Sequence, residues 1–233
     1  MKITNNLAMI EVAVPGRGMI FPALLWDDEG KHLMLFDAGY PETVPALTEA
    51  IKETGHDISQ LTSLVLTHQD LDHIGGAKNI LALASNAKVY AHEVDASFIQ
   101  GDKTPTKLER AKQQKEAGTL PAGREGFYDF LARGFPASYV HVDVPVKDGQ
   151  VFDIAGGVEV VFTPGHTPGH AAYYLQASKT MIVGDAANID GTQLTGSNPG
   201  MTWDMGQADA SLEKIKSFDM NGVISYHTGY LEF

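Results

Sequence analysis

A chain of 233 residues, 43% hydrophobic and 20% charged, is long enough to bury one sizeable core and too apolar to be disordered. A net charge of −12 argues against a nucleic-acid partner, and no apolar stretch is long enough to span a bilayer. There is no cysteine, which excludes disulfides, a thiolate nucleophile and thiolate metal ligands; any metal must be held by His, Asp and Glu.

Residues 1–6 are polar and lack a signal-peptide core, so a cytoplasmic location is the expectation. Residues 7–14, 19–26 and 32–36 read as strands, with Asp-Asp-Glu-Gly at 27–30 as a hairpin turn between the last two. Two antiparallel strands before any helix argue against a purely doubly wound parallel sheet. Asp37-Ala38-Gly39 closes the third strand. Residues 44–54 read as a helix, with Thr43 as N-cap, Pro45 in the first turn and Gly55 as the stop; Val44, Leu47, Ala50 and Ile51 recur at helical spacing.

An apolar strand at 61–66 runs into Thr67-His68-Gln69-Asp70-Leu71-Asp72-His73. Four potential ligands in six residues serve no packing need, because such groups are costly to bury unless paired or metal-bound. They read as a loop at the C-terminal end of a strand, where α/β folds build their sites. The bland alternative is a polar surface loop that happens to hold two histidines. A helix at 76–85 and a strand at 88–91 follow.

Residues 93–150 break the rhythm. A helix starts at Thr104-Pro105 and ends at Gly118, with Leu108 and Ala111 as its clear apolar positions. Phe127, Tyr128, Phe130 and Phe135 follow. Residues 101–133 carry seven Lys/Arg against five Asp/Glu, and the lysines read as a solvated face. The whole stretch reads as a helical insertion over one end of the sheet, within a single domain spanning 1–233.

Strands return at 157–162, 171–175 and 180–183, then a helix at 209–217 and a strand at 223–226. Three of these strands end in polar loops: Thr163-Pro164-Gly165-His166-Thr167-Pro168-Gly169-His170, Gly184-Asp185-Ala186-Ala187, and Tyr226-His227-Thr228-Gly229. Each loop alone is as compatible with an ordinary turn; the set points to a shared metal site. Gly169 and the two prolines keep His166 and His170 off a common helical face, so His170 reads as a hydrogen-bonding support rather than a ligand. Tyr226 reads as core.

Taken together, these motifs and their order resemble the metallo-β-lactamase superfamily of metal-dependent hydrolases, over nearly the whole chain and weakly from 93 to 150. The resemblance implies an α+β fold, a four-layered αββα sandwich with two central mixed β-sheets and the metals at one edge. It implies His68, Asp70 and His166 as ligands of one metal, Asp72, His73 and His227 of a second, Asp185 bridging both, and Asp37 as a structural support. The cofactors implied are two divalent ions, with zinc the first expectation. The usual family pattern is H-x-H-x-D-H, and here Asp70 replaces the second His. A carboxylate is a harder ligand, which brings manganese or iron into range. Three carboxylates, two divalent ions and one hydroxide sum to no net formal charge, whereas His at position 70 would leave +1.

The implied chemistry is hydrolysis by a metal-bridging hydroxide, with Asp72 and Asp185 as catalytic carboxylates and a small molecule as substrate. The expected bond is a carboxylic ester bond: lactone, ester or thioester. The 163–170 loop is similar to the lactonase and glyoxalase II branches, and the aromatics at 127–135 suit an acyl pocket. The alternatives are a phosphodiesterase or nuclease of the same superfamily, and a mononuclear iron persulfide dioxygenase. Nothing in the sequence speaks to oligomeric state.

Overall fold

The computed structural model describes residues 1–233. Two six-stranded mixed sheets form its centre. The first runs in the order β1 (Leu7–Met9), β4 (Ala23–Trp26), β5 (Leu33–Phe36), β6 (Ser63–Leu66), β7 (Lys88–His92), β8 (Val144–Val146). Its first three strands are antiparallel and its last three add in parallel. The second runs β16 (Gly229–Glu232), β15 (Gly222–Ser225), β12 (Thr180–Gly184), β11 (Ala171–Leu175), β10 (Val158–Phe162), β9 (Val151–Phe152), parallel only between β12 and β15. Two ribbons, β2 (Val12–Val14) with β3 (Gly18–Ile20) and β13 (Ala187–Asp190) with β14 (Gln193–Gly196), complete the strands.

Three apolar clusters define four layers. Between the sheets lie Phe36, Met34 and Val65 from the first and Tyr173, Val160, Ile182 and Ile224 from the second. The Phe36 and Tyr173 rings meet at 5.3 Å. The outer face of the first sheet packs against α1 (Val44–Glu53), α3 (Ala77–Leu83) and their neighbours through Leu47, Ile51, Ile80, Leu64 and Leu66. The outer face of the second packs through Val161, Met181 and Val223 against Ile215 of α7 (Met205–Lys216). Leu47 and Ile51 are fully buried, so each contributes about 2 kcal/mol. The arrangement is the αββα sandwich that the sequence implied.

Several elements differ from the sequence reading. The expected strands at 7–14 and 19–26 each break in two, at Ile10-Glu11 and Phe21-Pro22. Thr43 does not cap α1 with its side chain; its hydroxyl donates to the Tyr40 carbonyl in a preceding turn of 3-10 helix, Pro41–Thr43. The segment after β6 is not wholly loop: Leu71–Ile74 forms one helical turn, α2, with Asp70 at its start. That turn is clamped by the backbone after β5, through Ala38 N–H to His73 O and Gly76 N–H to Gly39 O, both 2.8 Å. A Cβ on Gly76 would lie 2.2 Å from Ala38 O, so only glycine admits this approach.

The 93–150 stretch divides in two. Here α4 (Glu93–Ile99) and β8 extend the first sheet and its outer layer. Two further helices, α5 (Thr106–Glu116) and α6 (Glu125–Ser138), lie over the strand ends. As its sequence suggests, α5 buries little beyond Ala111. No helix is long and apolar enough to cross a membrane.

Candidate metal centre

Strands β5, β6, β10, β12 and β15 deliver their C-terminal ends to one edge of the sandwich. The seven side chains singled out in the sequence meet there in two groups. His68, Asp70, His166 and Asp185 form one, and Asp72, His73 and His227 the other; within each group the ligand atoms lie within 4.8 Å of one another.

The first group centres on Asp70 Oδ2, 3.1 Å from His68 Nε2 and 2.9 Å from His166 Nε2. In the second, Asp72 Oδ2 is 3.2 Å from His227 Nε2 and 3.8 Å from His73 Nε2. Asp185 lies between them. Its Oδ1 is 3.3 Å from both His73 Nε2 and His227 Nε2, and its Oδ2 is 3.4 Å from His166 Nε2.

Supporting hydrogen bonds set the tautomers. The buried Asp37 carboxylate can only accept, so His73 Nδ1–H donates to it at 2.9 Å and His73 Nε2 is turned to the centre. Thr67 donates its hydroxyl to Asp37, which leaves Thr67 Oγ1 to accept from His68 Nδ1 at 3.0 Å and frees His68 Nε2. His170 uses both nitrogens: Nε2 accepts the Asp185 backbone N–H at 3.1 Å, and Nδ1 donates to Thr163 Oγ1 at 2.8 Å. It therefore positions Asp185 and has no nitrogen left for a metal. Tyr226 is buried as expected, but it does more than fill space. Its ring lies 4.0 Å from His73, and its hydroxyl donates to the Asp72 carbonyl at 2.6 Å.

Two residues that the sequence reading did not single out shape the site. Asp95, on α4, is fully buried and accepts four hydrogen bonds. Gln69 N–H and Thr167 Oγ1 donate to Oδ2, and Gln69 Nε2 and Gly169 N–H to Oδ1. It thereby joins the 67–73 segment to the 163–170 loop. Burial pushes its carboxyl up to about 6. Its one sequence signal is an acid just beyond the end of β7. The second residue is Lys107 on α5. Contrary to the solvated-face reading, its side chain is only 16% exposed, its ammonium donates to Asp70 Oδ2, and it lies 3.2 Å from His166 Nε2.

The protonation pattern is that of a crowded acidic cluster. Burial works against the Asp70 carboxylate, yet the Lys107 and His68 charges hold it well below the usual range. Burial also opposes charge on His73, but Asp37 and Asp185 raise it well above an ordinary imidazole. His227, opposed by burial, is pushed up to about 10 chiefly by Asp185. His68 goes the other way, down to about 4, because it is desolvated and beside His73.

The donor set fits divalent cations. It is all nitrogen and carboxylate oxygen, and both His73 Nε2 and Asp185 Oδ1 are buried without a hydrogen bond though turned to the same point.

Access is over α6. A cavity of about 330 Å³ opens onto Asp70, Asp72, Asp185 and His227, with Phe127, Phe130 and Phe135 on its apolar side. Tyr128 points elsewhere, its ring 3.9 Å from the Lys115 ammonium.

A family model described as the metallo-β-lactamase superfamily matches residues 16–220. A probable metallo-hydrolase YflN of Bacillus subtilis (strain 168) is 26% identical over 162 residues, covering 68% of this chain and 56% of the relative. A hydroxyacylglutathione hydrolase of a Synechococcus strain is 27% identical over 143 residues, 60% of this chain and 41% of the relative. The match thus spans about half the length of these curated relatives. Among solved structures, a metallo-β-lactamase family protein of Thermus thermophilus superposes with a TM-score of 0.76 at 21% identity, covering 99% of this chain and 76% of that one. With the two-sheet sandwich, the strand-end histidines and aspartates and the family match over residues 16–220, the chain belongs to the metallo-β-lactamase superfamily.

Proposed function

We propose that this metallo-β-lactamase-fold hydrolase uses two divalent metal ions, zinc foremost, to cleave a carboxylic ester-type bond of a small molecule: thioester, ester or lactone. His68, Asp70 and His166 would hold one ion, Asp72, His73 and His227 the other, and Asp185 both. The observation that carries this reading is the position of Asp185, whose two oxygens face the two sets of histidines separately. Support for the bond type comes from relatives named hydroxyacylglutathione hydrolase, and from the apolar chamber beside the cluster.

When bound, the ions supply Lewis acidity and lower the pKa of water, so that a nucleophile is available near neutral pH. The chain's own residues do the rest. Asp37, Thr67 and His170 hold the imidazoles and Asp185 in one orientation. Phe127, Phe130 and Phe135 exclude water from the acyl side of the chamber. Asp72, whose side chain is 21% exposed toward that chamber, takes up the proton of the attacking water at Oδ1 and returns it to the leaving group. In this reading 1–233 acts as one domain, with α5 and α6 as its cover.

Metal analysis of the purified chain and a substrate panel test the reading. Two divalent ions per chain and turnover of thioester or lactone are expected. A single iron would favour the dioxygenase alternative, and turnover of a phosphodiester alone would favour the nuclease. A metal-free chain that stays inactive after reconstitution would sink the assignment.

A further inference from the structure

Beside the chamber at the cluster lies a second cavity, of about 490 Å³. The two share Lys107, Phe127, His166 and Met201, so they are adjoining compartments of one cleft. The second has a distinct chemistry. Lys107, Arg110 and Arg124 line it, and no Asp or Glu does, in a chain of net charge −12. Lys107 is committed to Asp70. Arg110 and Arg124 are exposed and enter no ion pair. Exposed cations are ordinary, but two guanidiniums without an ion-pair partner, lining one cavity that holds no acid, are a recognition surface for a carboxylate or a phosphate.

The remaining lining mixes apolar side chains, Phe127, Met201 and Trp203 among them, with the polar Thr106, Gln114 and Thr202. Trp203, 52% exposed, stands on the wall facing α5, and Phe127 lies under the Arg124 guanidinium at 5.2 Å. The Trp203 wall is fixed to the cluster: Trp203 N–H donates to the Gly165 and His166 carbonyls at 3.1 Å. The fixing needs glycine at 165, where φ is +132° and a Cβ would lie 2.2 Å from Ala208 N. Arg110 follows Lys107 by three residues on α5, so the two are neighbours about one turn apart on the same face. The free positive charge therefore sits roughly a helical turn, about 5 Å, beyond the group that touches the cluster.

We propose that this compartment binds the anionic end of an amphipathic substrate, a carboxylate or phosphate borne on an apolar body whose scissile bond lies at the His/Asp cluster. The proposal deepens the hydrolase reading and rests on it for the position of the bond. It adds that Arg110 and Arg124 select substrates by charge, and that the acidic remainder of the chain repels anions from elsewhere on the surface.

Isothermal titration of the protein carrying its own metals tests this with three probes of one shape: 4-phenylbutyrate, 4-phenylbutylphosphonate and neutral 4-phenylbutanamide. At least one anion is expected to bind tenfold or more tightly than the amide, and which one does so separates carboxylate from phosphate. In Arg110→Gln/Arg124→Gln that preference should shrink at least fivefold, with amide affinity and the thermal midpoint unchanged, and Arg110→Lys/Arg124→Lys should recover part of it. An anion preference that survives the double Gln variant would locate the anion at the metals and overturn the proposal. So would equal affinity for anions and amide, or no binding of any probe at millimolar concentration. Hydrolysis is measured separately: charge selection without turnover of any ester, thioester or lactone counts against the hydrolase reading alone, and turnover without charge selection against this proposal alone.

Discussion

The Asp95 carboxylate holds Gln69 twice, accepting its backbone N–H on Oδ2 at 3.0 Å and its side-chain amide on Oδ1 at 2.9 Å. Gln69 is the residue between His68 and Asp70, and the other two donors to Asp95 flank Pro168 in the loop that carries His166. Gln69 Oε1 in turn accepts the N–H of Thr106, the first residue of α5. One buried carboxylate thus sets the spacing of the segments that carry His68, Asp70 and His166 and, through Gln69, the seat of Lys107.

Asp95→Asn keeps the size but supplies an NH₂ where two donors already point. We expect a loss of about 2–4 kcal/mol in denaturant unfolding, since a buried group left unsatisfied costs its desolvation. The metal content after dialysis should fall as well. A change within about 0.5 kcal/mol, the range of ordinary surface substitutions, would show that the four bonds do not hold the loops.

The Asp70–Lys107 pair has a consequence for charge. Replacing the family's second His by Asp removes one positive unit from the centre, and the Lys107 ammonium beside it returns one. Asp70→His alone should therefore weaken metal binding roughly two-hundredfold or more, because it leaves Lys107 facing imidazoles and cations. Lys107→Met alone should tighten it roughly tenfold. The double variant should come back to near the parent affinity, with a coupling energy of about 1.5 kcal/mol or more in a competition assay against a chelator. Simple additivity would rule out charge exchange between the two positions.

Metal binding should depend on pH through the second group of ligands. His73 is raised well above the ordinary imidazole value and His227 to about 10, so without metal both carry a proton at pH 7.5. A histidine whose folded value is raised contributes stability below its unfolded value, near 6.5, and loses it as pH rises through the raised one. Cations bind the deprotonated form, so binding must expel those protons. His68, near 4, has none to lose. Titration calorimetry in buffers of differing ionisation enthalpy should count more protons released for the second ion than for the first, and apparent affinity should climb between pH 7 and 9. A pH-independent affinity would contradict the protonated imidazoles.

Phe130 lines the chamber and is held from behind by Arg17, whose guanidinium is 4.4 Å from the ring centre. Phe130→Ala removes apolar wall of the chamber. For an aryl-acyl thioester KM should rise about tenfold with kcat nearly unchanged, the pattern of lost uniform binding. A fall in kcat with constant KM would place Phe130 in the chemical step instead.

The clustering of these side chains was legible in the sequence because short apolar strands deliver His68, His166, Asp185 and His227 directly into glycine-containing turns, and such local patterns survive without tertiary information. The supporting role of Asp37 was legible only through the resemblance of Asp37-Ala38-Gly39 to the family pattern. Asp95 and Lys107 were not. Each acts on a segment tens of residues away, and nothing local distinguishes a lysine that reaches Asp70 from the solvated lysines of the same helix. The one-turn helix at Leu71–Ile74 was missed because its stop is a backbone clash-free approach at Gly75-Gly76, not a cap signal. The ribbon β13–β14 and the last strand β16 lack the apolar alternation that marks a half-buried strand, since Asn188, Asp190, Gln193 and Thr195 lie largely outside the core.

The seven clustered side chains come from both sheets: β6 carries those of the 67–73 segment, and β10, β12 and β15 carry the other three. Cations held among them would act as rivets along one rim of the sandwich. The sheets cannot part at that rim without every rivet letting go, so breathing motions must begin at the opposite margins, where the outermost strand β9 has two residues and Val151 stands half open to solvent. A protease acting on the native chain should find its first foothold there, whether or not the rim is loaded with metal.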